Sequence, residues 1–204
     1  MTTHAPATGN RKLTIDDIDD IRAYERDRDV FRQHVIELKR KRRVGVGPFI
    51  SFVFENRDTV RFQIQEMARV EKIASDEGIQ TELDIYNPLV PDPGELCATM
   101  FIELTSEAQL REWLPKLVGV ERAVAVRAAD GRTVRPRLEA QHASQLTREH
   151  TTSCVHYLQW SFGADDVEAF LAGSLELQVD HANYTHAITL SAETTAELAI
   201  DLRP

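Results

Sequence analysis

The stretch FENRDTVRFQIQEMARVEKI, residues 54–73, carries five polar side chains with a claim to chemistry: Glu55, Asn56, Arg57, Gln63 and Glu66. It reads as the end of a strand, a turn and a helix. At about 100° per residue, Val60, Ile64, Met67, Val70 and Ala74 share one arc of that helix, with Phe62 and Ile73 on a neighbouring arc. Gln63 falls inside the first arc and Glu66 between the two. Arg61, Gln65, Arg69 and Lys72 take the opposite side, which is expected to face solvent. Gln63 and Glu66 are then at least partly buried, and a buried carboxylate needs a cation, several donors or its own proton. Two explanations compete. In one, Glu66 pairs with Arg57 or with Arg69 at i+3, and Gln63 satisfies loop backbone. In the other, the five residues line a polar pocket at the helix amino terminus, where orphan N–H groups favour an anion.

A second constellation is made of histidines. In SCVHYLQWSF, strand alternation puts Cys154, His156, Leu158, Trp160 and Phe162 on one inward face. SLELQVDH and YTHAITLS read as a hairpin about Ala182-Asn183, pairing Val179 with His186 and His181 with Tyr184. His181 and His186 thus emerge on one side, and if the strands are neighbours His156 joins them in a candidate site for zinc or non-haem iron, completed by Glu103 or Cys154. The alternative is that each imidazole bonds a carbonyl or closes a strand end. HExxH, paired ExxH, CxxC and GxSxG are absent, as are GxxxxGK[ST] and a strand followed by GxGxxG. No motif therefore specifies a reaction, a cofactor or a nucleotide. Cys97 and Cys154, in strand-like apolar runs, read as buried free thiols.

The elements that must position these residues follow from pattern and punctuation. A helix is expected over about residues 15–42, with Thr14 as N-cap, apolar Ile18, Ile21, Phe31, Val35 and Leu38, and the basic run KRKRR at its end. That run complements the helix dipole, and an anion-binding or docking patch is the competing reading. GVGPFISFVFE reads as one continuous buried strand, 76–86 as a helix, and 96–104 as a central strand. Ser106 caps a further helix, and Asp130-Gly131 turns a hairpin between VERAVAVRA and RTVRPRLE. A short helix ends near Gly173, and a closing helix starts from Ser191. Hairpins interrupted by irregularly spaced helices give an α+β fold. A single domain over residues 11–204 is expected, a mostly antiparallel mixed sheet packed by several helices with a long N-terminal one, after a disordered lead at 1–10.

Composition narrows the classes. The 204 residues are 42% hydrophobic and 28% charged, the balance of a globular domain. No apolar run approaches the roughly 20 residues that span a bilayer. The start MTTHAPATGNRKL has no apolar signal region, so the expected location is the cytoplasm. A net charge of −9 argues against a nucleic-acid partner.

Four stretches, RKLTIDDI, FENRDTVRFQIQEMARVEKI, DEGIQTELDIYNPLVPDPGELCATMFIEL and VDHANY, together resemble a bacterial family of about 200 residues catalogued as a domain of unknown function. The resemblance runs from Arg11 onward. It implies a genomic setting, common in the family, beside a rubrerythrin-like di-iron protein and an iron-sulfur oxidoreductase resembling heterodisulfide reductase or the anaerobic glycerol-phosphate dehydrogenase subunit. That setting implies an accessory role in redox or peroxide defence, docking on one of those partners. The alternative is a small-molecule or metal-dependent enzyme using the pocket around Glu66 or the histidine site.

Overall fold

The computed structural model describes residues 11–138 and 151–203, so the expected disordered lead lies outside the described residues. The expected first helix is two pieces. A 3-10 turn over Ile15–Asp17, capped by Thr14, precedes α1 (Ile21–Arg42), whose N-cap is Asp20. The cause is local: Asp17 accepts from the Thr14 N–H, and Asp20 accepts from the N–H groups of Arg22 and Ala23. Two capping carboxylates within four positions start two helices rather than one.

GVGPFISFVFE is likewise corrected to a hairpin, β1 (Arg43–Val46) and β2 (Ile50–Glu55). Gly47 turns it with φ +73, and a Cβ there would lie 2.5 Å from the Tyr184 hydroxyl. That hydroxyl donates to the Val46 carbonyl at 2.6 Å and accepts from the Phe49 and Ile50 N–H groups. The turn is thereby fastened to the other end of the chain.

Next come α2 (Arg57–Glu71), α3 (Asp76–Tyr86), a 3-10 turn at Asn87–Leu89, β3 (Glu95–Ile102) and α4 (Glu107–Lys116). A 3-10 turn at Val120–Ala123 leads into β4 (Val124–Ala128), β5 (Thr133–Val134) and β6 (Arg137–Leu138). β7 (Val155–Ser161), α5 (Ala164–Ala172), β8 (Leu175–His181), β9 (Tyr184–Thr189) and α6 (Ala192–Leu202) complete the described chain. The caps expected at Ser106 and Ser191 are in place. RTVRPRLE is not one strand: Pro136 separates β5 from β6, and the two join different sheets.

Every pairing is antiparallel, and the sheet is two sheets, β1-β2-β3-β7-β6 and β5-β4-β8-β9, with β3 central in the first. The last hairpin has the expected register, Val179 opposite His186 and His181 opposite Tyr184. Phe52, Phe54, Leu96, Met100, Leu158 and Trp160 from the first sheet share one core with Val124, Val126, Leu175, Leu177 and Val179 from the second. The first sheet's other face carries Glu55, Cys97, Thr99 and Tyr157. A smaller cluster forms on that side, in which Leu13, Val60, Ile64, Leu83 and Leu89 are buried and Tyr86 and Tyr157 pack against them. The site lies between this face and the helices.

Candidate functional site

α2 ends at Glu71, short of the Lys72, Ile73 and Ala74 expected on its faces, and sits rotated from the expected phase. Gln65, placed on the solvent side by periodicity, is 1% exposed, whereas Val70 is 64% exposed. The reason is a backbone demand. The Gln65 amide accepts from the Asp19 N–H at 2.9 Å and donates to the Asp19 carbonyl at 3.1 Å, serving the non-helical link into α1.

The five candidate residues separate into distinct jobs. Asn56 is the N-cap of α2: its side chain accepts from the Thr59 N–H at 3.0 Å, which closes the helix start that an anion was expected to use. Arg57 pairs with Asp17 at 2.5 Å. Glu66 is not bound by Arg57. It accepts from the Tyr24 hydroxyl at 2.7 Å, from Arg28 at 2.8 and 3.0 Å, and from its i+3 neighbour Arg69 at 3.0 Å. The Arg28 hydrogen bonds, helped by Arg69 and Tyr24, hold its carboxyl down to about 2 against the upward push of partial burial. Burial, together with the hydrogen bond to Glu66, pushes the Tyr24 phenol upward. This knot ties α1 to α2 and leaves the carboxylate fully engaged.

Glu55 and Gln63, by contrast, meet at a cavity of about 220 Å³. Glu55, at the end of β2, is 8% exposed and accepts from the Thr99 hydroxyl at 2.7 Å. The two lie diagonally across the β2/β3 ladder, since Glu55 opposes Cys97. Val155 and Tyr157 of β7 extend the same wall, and α2 adds Thr59, Val60 and Gln63. Tyr86 and Leu89 close it from α3 and the turn after it, and Lys39 reaches it from α1. The sequence indicated Glu55 and Gln63 but missed Lys39, Thr99 and the two tyrosines. One signal was available: Thr99 is a hydroxyl inside the apolar run LCATMFI.

Of the basic run only Arg42 is buried, and the run's three arginines all pair with carboxylates. Arg42, 1% exposed, makes a bidentate pair with Asp201 at 2.7 and 3.1 Å and a single-oxygen ion pair with Glu197 at 3.1 Å. Arg40 reaches Glu193 and Glu37, and Arg43 reaches Glu103.

The histidines do not assemble. His156 is buried, with Nε2 at 2.9 Å from the Thr152 hydroxyl and 3.0 Å from the Ser153 carbonyl; burial pushes its imidazole down and Glu121 opposes this. His181 Nε2 lies 3.2 Å from the Val118 carbonyl, and His186 stacks edge-on against Tyr184. Among the described residues no group of three or more His, Cys, Asp or Glu is arranged to hold a metal. Both cysteines are free, with Cys97 buried and Cys154 partly so, and burial pushes both thiols up. Among the described residues no helix is long and apolar enough to cross a membrane.

The family described as a protein of unknown function, DUF3501, matches residues 12–202. Among solved structures, the crystal structure of a novel protein of unknown function from Burkholderia pseudomallei K96243 has a TM-score of 0.86 and 36% identity. That match covers 94% of this chain and 99% of the other. No curated protein matches.

Proposed function

We propose a function from the premise that this chain belongs to the DUF3501 family, and from its cavity: it binds a small molecule between the first sheet and α1–α3. The observation that supports this most is the pairing of Glu55 and Gln63 at one cavity. Glu55 is almost buried and takes a side-chain hydrogen bond only from Thr99 among the described residues, and Gln63 takes and gives none. Both side chains thus present free, solvent-reachable hydrogen-bonding capacity to one cavity, which is what a ligand would use. The volume is below the roughly 300–1,000 Å³ of drug-sized pockets, which favours a compact ligand. Ligand-observed NMR with a fragment library tests this. Hits are expected on the wild-type protein and lost on Gln63→Trp, which fills the cavity; no hits, or hits indifferent to the filling, would overturn it.

The resemblance supports a second, finer reading, a cytoplasmic accessory role on an iron-sulfur or di-iron redox partner. α1 favours it by exposing Arg22, Arg26 and Arg32 along a surface helix. Co-purification of such a partner, abolished when these three arginines become glutamate in a folded protein, is its expected outcome; retained co-purification would count against α1 as the contact.

A further inference from the structure

The charges around the cavity define a ligand class, an inference that rests on the binding reading above. Glu55 has no ion-pair partner among the described residues. Arg42 is held by Asp201 and Glu197 and reaches only the Glu55 backbone carbonyl, at 3.4 Å. Lys39 reaches the same cavity from α1 and is half-buried; it too has no ion-pair partner among the described residues, Glu55 included. A carboxylate without a cation and an ammonium without an anion therefore share one space, although each stands to gain from a partner where solvent is thin.

The rest of the lining matches a molecule that carries both charges. Gln63 offers a carboxamide with two donors and an acceptor. Tyr86, Phe101 and Tyr157 supply aromatic surface, which tolerates a nearby ammonium as well as an apolar chain. At about 30 Å³ per water, the cavity has room for roughly seven waters, or a ligand of about seven to ten non-hydrogen atoms. We propose that it takes a compact zwitterion of the amino-acid class, with the ammonium on Glu55 and Thr99 and the carboxylate on Lys39 and Gln63.

Titration calorimetry of the full chain tests the assignment with norvaline and 5-aminopentanoate as zwitterions, butylamine and butyrate as single-charge analogues, and butanol as the neutral control. At least one zwitterion is expected to bind about tenfold or more tighter than every single-charge analogue. Glu55→Gln should weaken that zwitterion about tenfold without weakening butyrate, and Lys39→Met should weaken it without weakening butylamine. The assignment is overturned if a single-charge or neutral compound equals both zwitterions. It is also overturned if both variants, folded by circular dichroism, bind as the wild type does. Fragment hits that Gln63→Trp abolishes, with no zwitterion binding, would sink the zwitterion and leave the cavity's binding role; absence of every ligand would sink both.

Discussion

Two carboxylates eleven residues apart, Glu55 and Glu66, meet opposite fates. Glu66 takes hydrogen bonds from two guanidinium groups and a phenol, and nothing of it is left for a ligand. Glu55 is more deeply buried yet takes one hydroxyl donor on its side chain and faces a cavity. Side-chain type and approximate burial do not separate the two. The number of partners that the fold supplies does.

The comparison can be broken by removing partners. The largest effect is expected at Arg42, the most saturated cation among the described residues. Arg42→Met leaves Asp201 and Glu197 facing each other without their cation and should cost about 3–5 kcal/mol in urea denaturation; a loss under about 1 kcal/mol would show that saturation does not measure structural importance. Gln65→Ala strands the N–H and carbonyl of Asp19 and is expected to cost about 1–3 kcal/mol by the same assay.

Glu66→Gln should cost about 1 kcal/mol, at the low end for a charged network because the group is partly solvated. Its pH dependence sharpens the contrast. The folded carboxyl is held to about 2, below its ordinary 4.5, so its stabilisation is fully present above about 4.5 and is lost as pH falls towards 2. The stability gap between wild type and Glu66→Gln should therefore narrow as pH drops from about 6 to about 2.5. A constant gap would mean the charge contributes nothing. The smallest effect belongs to the cavity: Gln63→Leu is expected to shift stability by no more than about 0.5 kcal/mol, because no hydrogen bond is lost.

Elements governed by local chemistry were legible in the sequence. The Ser106 and Ser191 caps, the helix at 76–86 and the His181/Tyr184 register each follow from a few neighbouring residues. The phase of α2 was not, because Gln65 turns inward to serve Asp19, and nothing in the helix's own periodicity encodes that backbone's need. The split of GVGPFISFVFE was half legible: Gly47-Pro48 stood in the run, but the fastening comes from Tyr184, far along the chain. The cavity repeats this pattern. Glu55 and Gln63 stood out as polar residues among apolar ones, while Lys39 was absorbed into a basic run whose three arginines pair with carboxylates.

The central claim is tested most directly by measuring Glu55→Gln and Glu66→Gln side by side, each for urea stability and for calorimetric binding of the tightest ligand found on the wild type. The account predicts a crossed result: Glu66→Gln loses stability and keeps binding, whereas Glu55→Gln keeps stability and binds about tenfold more weakly. Loss of stability in Glu55→Gln with binding intact would contradict it and make Glu55 another joint of the fold.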